Sequence, residues 1–357
     1  MKKPIQVLIA FIATVMPFYA YSAPIRLENN PAWKAQMFLA QQIKGIGLID
    51  SYQEDNTNIS YVYDNALAAI ASTVMGNYGL AKEILVTLSA EVKPCVDNVP
   101  YESYMFSDIA GTGSGASYCG NSAWLLQAYN IYQKHTNSKE FLTTQKALAD
   151  FLLKLQDPND GGLRGSFYDS WKSTEHNIIA CAALSNYGRL NNLVSYYNKA
   201  QQIKKFIIRA AIWDGTRFNR GPYDSTEVTD TQALGVLLLG AKYKAALTWA
   251  ENNLTLTKPV NNSTVLIKGF DYNSHLDTVW IEGTLQMSLA FRRAQVTEKY
   301  SFYLNEAVKA QQKDGSVLLA TNTGDASDFW MLQPWKAAAP TSWLIFNKLK
   351  FNPLVLY

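Results

Sequence analysis

Two kinds of helix-forming segment alternate along this chain, and that alternation constrains its architecture more than any motif does. Segments with apolar residues on one face lie near 31–43, 80–91, 139–155, 193–211, 241–252 and 297–312. Between them run segments rich in Ala, Leu and Gly that are apolar nearly all round, starting near Asp64, Asn121, Glu175, Asp230, Asp277 and Ala338. A helix with one apolar stripe needs one protein neighbour, whereas a helix apolar around its whole circumference must be enclosed. The apolar starts lie 57, 54, 55, 47 and 61 residues apart, a repeat of about 55 with almost no matching residues between units. Six enclosed helices within six amphipathic ones close a ring, so the reading is an all-α (α/α)6 toroid.

The connectors agree with a ring whose two edges differ. Segments leading from an amphipathic helix into the next apolar one are long and rich in Gly, Asp and aromatics, as at 157–162, 213–218 and 314–316. The return turns are short, and Asn77-Tyr78-Gly79 and Asn186-Tyr187-Gly188 read as Gly-ended helix stops. The elaborated loops therefore gather at the edge carrying the N-termini of the apolar helices, with short β-hairpins expected in 160–167 and 316–322. Nothing in the composition marks a linker, so residues 23–357 read as one domain.

Residues 1–22 read differently. Lys2 and Lys3 precede an uncharged apolar stretch from Ile5 to Ala20, followed by small residues at Ala20, Ser22 and Ala23. This pattern is that of a secretory signal peptide cut after Ser22. A retained membrane anchor is the alternative, and the stretch is short for a span of roughly 20 apolar residues. The expectation is a periplasmic or secreted monomer without stable membrane insertion after signal cleavage. An exported chain tends to pair its cysteines. Cys95 and Cys119 share a loop-like region bearing Gly, Pro and Ser, whereas Cys181 sits in an apolar run, so a Cys95–Cys119 disulfide is expected. With only three histidines and no Cys/His spacing of the zinc type, no metal or other cofactor is expected. A formal charge of +3 on 357 residues supplies no field to recruit nucleic acid.

Six helix N-termini converging on one depression present free backbone N–H groups and partial positive charge, favouring carboxylates and hydroxyl-rich ligands there. The polar residues at those ends are Tyr63-Asp64-Asn65, Glu175-His176-Asn177, Glu227 with Asp230, Asp277 with Trp280 and Glu282, and Trp335 with Thr341. Asp64, Asp230, Asp277 and Glu227 could equally be caps or first-turn acids, stabilising a helix by about 0.5–2 kcal/mol. Glu175 and Glu282 resist that reading, because each is embedded in an apolar helix where an unpaired charge is costly. His176 reads either as a base beside Glu175 or as a satisfied structural group. Aromatics make up 13% of the chain, a surplus over core needs that points to a lined groove. Trp171, Trp213, Tyr272, Trp330 and Trp335 fall in loops, where flat faces with polar edges suit stacking on sugar rings. Trp124, Trp249 and Trp343 fall at helical core positions.

Tyr63-Asp64-Asn65-Ala66-Leu67-Ala68, Asp160-Gly161-Gly162 with Gly165-Ser166, Ser173-Thr174-Glu175-His176-Asn177 and Val279-Trp280-Ile281-Glu282-Gly283-Thr284 together resemble the six-hairpin glycosidase-like superfamily, over nearly the whole mature chain. The resemblance implies a substrate cleft at the inner-helix N-termini and a carbohydrate substrate. It assigns no single hydrolase family. On this reading a secreted glycoside hydrolase would use Glu175 as general acid, Asp64 or Asp230 to activate water, and Glu282 to bind substrate or serve as an alternative acid. Tyr63, Asn65, Trp171, His176, Asn177, Trp213, Tyr272, Asp277, Trp280 and Trp335 would bind the sugar. Two alternatives stay open: a polysaccharide lyase with His176 or a tyrosine as base and Asn177 or Arg217 neutralising a uronate, and a non-catalytic glycan-binding envelope protein.

Overall fold

The computed structural model describes residues 30–44, 47–105, 110, 111, 113–327 and 330–356. The expected signal peptide at residues 1–22 lies outside them. Among the described residues twelve α-helices follow one another: α1 Pro31–Gln41, α2 Val62–Val74, α3 Tyr78–Val86, α4 Cys119–Thr136, α5 Leu142–Lys154, α6 Thr174–Leu190, α7 Val194–Ile207, α8 Thr229–Leu239, α9 Ala245–Asn253, α10 Ile281–Arg293, α11 Thr297–Val308 and α12 Ala338–Leu349. The even-numbered helices form the inner ring. Each touches the next, α2 to α4, α4 to α6, α6 to α8, α8 to α10 and α10 to α12, and α12 returns to α2. The odd-numbered helices lie outside, and α1 packs on α12 to seal the ring.

The division follows from the sequence pattern. Every residue from Ile281 to Phe291 of α10 is buried, and so is every residue from Asp64 to Thr73 of α2. Outer α7 buries only Ala200, Ile203, Phe206 and Ile207, a single stripe at helical spacing. Runs of alanine in α2 and α6 let inner helices approach closely, and the ring centre is filled by Trp124 and Trp343, whose rings meet edge to face at 6.1 Å.

Nine of the twelve helix starts fall within two residues of their expected positions; α5, α9 and α10 begin three to four residues late, and two turns are also corrected. Asn77 caps α3 by accepting from the Leu80 N–H at 3.3 Å, and the residue that ends α2 is Gly76, at φ +79°. Tyr78 and Gly79 therefore belong to α3. Gly188 lies inside α6, where a Cβ would meet the Tyr197 nitrogen at 2.8 Å; it stays bare so that α7 can pack close. Inner helix α10 begins at Ile281, beyond Asp277, because Asp271 and Asp277 are engaged in fixing the preceding loop.

Every strand among the described residues lies in a connector from an outer helix to the next inner one. Strand 59–61 pairs with 103–105, 255–259 with 266–270, 324–327 with 330–332, and 317–318 with 336–337, all antiparallel. The expected hairpin at 160–167 is absent, since that segment forms a loop with one bridge between Gln156 and Leu163. The 316–322 segment pairs with Lys336 and Ala337 instead of folding on itself. The strands crowd the elaborated loops over the N-termini of the inner helices.

The expected disulfide is also corrected. Cys95, Cys119 and Cys181 are free thiols. Cys95 sits in a two-stranded hairpin, 94–96 with 99–100. Cys119 opens α4 and is buried, its Sγ 4.0 Å from the His176 carbonyl oxygen, so the geometry of the inner ring claims it.

Candidate active site

The inner-helix N-termini enclose a cavity of about 290 Å3. Asp64 reaches it from the first turn of α2, Glu175 and His176 from α6, Asp230 from α8, and Glu282 from α10. Four carboxyls from four helices thus face one space. Each element is anchored locally: the Ser173 hydroxyl caps α6 by accepting the His176 N–H at 3.2 Å, and the Thr229 N–H starts α8 by donating to the Tyr272 carbonyl at 2.9 Å. The second of these contacts also fixes Tyr272 in the cavity wall.

Burial governs the chemistry of all four acids. Desolvation lifts Asp64 from 3.8 to about 7, although the Ser51 hydroxyl and the Ala339 N–H of α12 favour its ionised form. Glu175 rises from 4.5 to about 7 by burial, with the Trp124 indole opposing the shift. Asp230 rises to about 7 through burial and the charge of Glu175, opposed by the Thr231 N–H and Arg220. Glu282 rises furthest, to about 8, through burial and the charges of Asp64, Asp230 and Glu175, while the Tyr63 hydroxyl opposes the rise. Tyr63 O–H donates to Glu282 Oε1, and the Gln286 side chain donates to the same oxygen at 3.0 Å. Oε2 is therefore the oxygen left to carry the proton. His176 Nε2 lies 3.4 Å from Glu175 Oε2. Burial lowers the imidazole to about 4, so near neutrality the pair is a neutral ring beside a carboxyl rather than an ion pair.

A second, larger cleft of about 1010 Å3 adjoins the first and shares Glu175, His176, Asp230 and Tyr272 with it. Trp171 and Tyr223 stand exposed on its wall. Its cations are largely engaged. Lys172 Nζ binds Asp157 at 2.7 Å and Asp160 at 2.8 Å, and Arg220 binds Asp224 at 2.6 Å. Among the described residues no group of three or more His, Cys, Asp and Glu is arranged to hold a metal ion.

The structure brings together Tyr63, Asp64, Glu175, His176, Asp230, Tyr272, Trp280 and Glu282 around the cavity, with Trp171 in the adjoining cleft. Five other candidates do different work. Asn65 is buried and holds the connector, accepting from the Ile49 N–H at 3.0 Å and donating to Ser60 Oγ and the Tyr61 carbonyl. Asn177 clamps Leu163 from both sides, accepting its N–H at 2.7 Å and donating to its carbonyl at 3.1 Å. Trp213 packs on Phe218 and Tyr243, away from either space. Asp277 accepts the Asp325 N–H at 3.0 Å and so ties down the 324–332 hairpin. Trp335 stacks behind Tyr52 at 6.0 Å and lines a separate groove. The neutralising groups of the lyase reading fail likewise, since Asn177 is clamped and Arg217 lies over Trp249 with its guanidinium on the Ser225 carbonyl.

Sequence reasoning missed Tyr52, Tyr61, Glu102, Gln286 and Leu319, and assigned Trp124 to packing alone, whereas all six line the cavity. Gln286 was readable in principle, one helical turn beyond Glu282 on the same face. The connector residues were not, because the pairing of Tyr61 with Ser103 sets their place across a long sequence separation.

No protein-family profile and no curated protein sequence matches the chain. Solved structures do match along nearly its whole length. A glycosidase variant in complex with glucose superposes with a TM-score of 0.67 at 11% identity, covering 89% of this chain and 95% of that one. A D-mannose isomerase gives 0.68 at 11% identity with the same coverage. The cellobiose 2-epimerase of Spirochaeta thermophila gives 0.64 at 13%, covering 87% and 92%. The fold the chain shares with these structures is the (α/α)6 toroid.

Proposed function

We propose that this protein is a carbohydrate-active enzyme, and specifically an exported glycoside hydrolase that works by inversion with Glu175 as general acid and Asp230 as general base. The observation that carries the reading is the position of this pair: Glu175 and Asp230 both line the junction between the inner cavity and the outer cleft, where a bond between two sugars would lie. Glu175 gives its proton to the glycosidic oxygen as the bond to the anomeric carbon breaks. Asp230 takes a proton from the water whose oxygen forms the new bond, and exchange with solvent resets both groups. The surroundings bias the roles correctly. Arg220 and the Thr231 N–H favour an ionised Asp230, while burial beside a neutral His176 keeps Glu175 protonated. Asp64 and Glu282 lie deeper, where they suit binding of sugar hydroxyls, with Trp280, Tyr272 and Trp124 offering faces for the ring. The acid-lined cavity counts against a purely binding role.

Neighbouring solved structures bear the names of glycosidases, a sugar isomerase and an epimerase, which supports a sugar substrate and leaves two reactions to separate. The second reading, sugar isomerisation or epimerisation, is favoured by the neutral His176 beside Glu175, a pair able to move a proton between adjacent carbons. A panel of α- and β-linked gluco-, manno- and uronate oligosaccharides, incubated in D2O and read by reducing ends, NMR and ultraviolet absorbance, distinguishes them. Hydrolysis releases reducing ends without deuterium at carbon. Isomerisation incorporates deuterium at C2 and releases none, and a lyase yields an absorbing double bond. Glu175→Gln and Asp230→Asn are each expected to lower kcat by roughly 10³-fold or more with the fold intact. Full activity in both variants would overturn the assignment.

A further inference from the structure

Three spaces lie in a row across the loop-bearing face, and the walls they share bear on how a substrate can sit. Towards the outer cleft, the central cavity is continuous past Glu175, His176, Asp230 and Tyr272. On its other side it meets a partition. Tyr52, Tyr61, Leu319 and Trp330 line the cavity on one face and a separate groove of about 270 Å3 on the other. The three rings pack on one another, with centroids 6.1 Å apart for Tyr52 and Tyr61, 6.1 Å for Tyr52 and Trp330, and 6.0 Å for Tyr61 and Trp330. Each is held from a different part of the chain. Tyr52 bridges Ala337 through its backbone and rests on Trp335, Tyr61 is paired with Ser103, and Trp330 belongs to the hairpin that Asp277 ties down. A wall assembled from three separately anchored connectors is positioned by the fold rather than by one movable side chain.

We propose that this three-ring partition makes the site blind at one end. A substrate chain then enters from the outer cleft, its terminal unit stops against Tyr52, Tyr61 and Trp330, and the enzyme trims products of one fixed length from a chain end instead of cutting internal bonds. The inference rests on the hydrolase reading above and narrows its substrate to chain termini. Cleavage of internal bonds needs room for chain on both sides of the acid pair, and the partition removes it on one. The groove beyond carries Trp335, Thr57 and Gln333, an aromatic face with polar neighbours. The Trp330 ring is 39% exposed, so its removal is expected to open the partition towards that groove.

Linear gluco- and manno-oligosaccharides test this, each offered free, capped at the non-reducing end with a benzylidene group, or capped at the reducing end with 2-aminobenzamide. They are titrated calorimetrically into the wild-type protein and Trp330→Ala, and the digests are sized by chromatography. A cap at one end alone is expected to weaken wild-type binding by about tenfold or more. Wild-type product has a single length, and Trp330→Ala accepts the excluded cap and releases a longer product. Equal tolerance of both caps, a ladder of product lengths, or a Trp330→Ala variant indistinguishable from wild type overturns the blind end and leaves hydrolysis standing. Asymmetric cap tolerance without any product overturns hydrolysis and supports the blind end, and no binding by any series overturns both. Tyr61→Ala breaches the same wall and replaces Trp330→Ala if circular dichroism shows the latter unfolded.

Discussion

At the residue scale, the site depends on carboxyls that cannot all ionise together. Glu175 and Asp230 are both pushed to about 7 by burial, Asp230 also by the charge of Glu175, so the pair holds close to one proton at neutral pH and titrates as a unit. Inverting hydrolysis requires that proton on Glu175 and a charge on Asp230. Activity therefore falls as pH drops and Asp230 gains its proton, and falls again as pH rises and Glu175 loses its own. A narrow bell in kcat/KM centred near pH 7 is the expected profile, measured on whichever oligosaccharide is cleaved. Arg220→Met removes the positive charge that favours ionised Asp230. The acidic limb of the bell then moves to higher pH while the alkaline limb holds; movement of both limbs together would assign Arg220 a structural role instead.

At the scale of elements, helices α4 and α6 meet where one residue has no side chain. A Cβ on Gly120 would fall 2.5 Å from His176 Cδ2, so the imidazole stands where any larger residue would press. Gly120→Ala is expected to shift His176 off Glu175 and cut kcat at least about tenfold, with a thermal midpoint lowered by several °C from overpacking. Retained kcat with a lowered midpoint would show that the contact serves packing only. The helices themselves were legible, because enclosure and half-exposure leave different periodic patterns. Their first turns were legible too, which is why Asp64, Glu175 and Asp230 were found. Asn65 and Asn177 looked the same as their neighbours in sequence, yet their amides face the backbone of Ile49 and Leu163, a matter decided by which loop lies beside each helix. Trp280 was found although α10 was expected to begin earlier, since the loop from Asp271 to Trp280 delivers it to the same place. Tyr52 and Tyr61 depend on pairing with the remote Ala337 and Ser103, which no local pattern reports, whereas Trp330, in a local hairpin, was legible as a loop aromatic.

At the scale of the molecule, the acid cluster costs stability, and its sign can be read from proton uptake. The four carboxyls titrate at about 7 to 8 in the folded protein and near 3.8 or 4.5 when unfolded. The native state thus binds more protons between about pH 4 and pH 8, and stability falls as pH rises through that window. His176, lowered from 6.5 to about 4, acts in the opposite sense, contributing stability above 6.5 that is lost as pH falls towards 4. Four groups outweigh one. Below about pH 4 the salt-bridged Asp157, Asp224 and Asp314, whose pKa values are held down, reverse the slope. The thermal midpoint is therefore expected to be higher at pH 5 than at pH 8, and Glu282→Gln to raise it at pH 8 with little effect at pH 5. A scanning-calorimetry series in which wild type gains stability from pH 5 to pH 8 would contradict the burial of these groups.

The seam between α1 and α12 has a consequence for how the protein comes into being. The amide that cradles Asp64 belongs to Ala339 in α12, which is synthesised after the other eleven helices among the described residues, and α12 must slot between α2 and α10 before the circle exists. A nascent chain bearing five of the six inner helices has its future reaction chamber still split open to water, with those acids ionised in the ordinary way. Their unusual proton affinity, and with it any reactivity, therefore switches on only when α12 closes the circle.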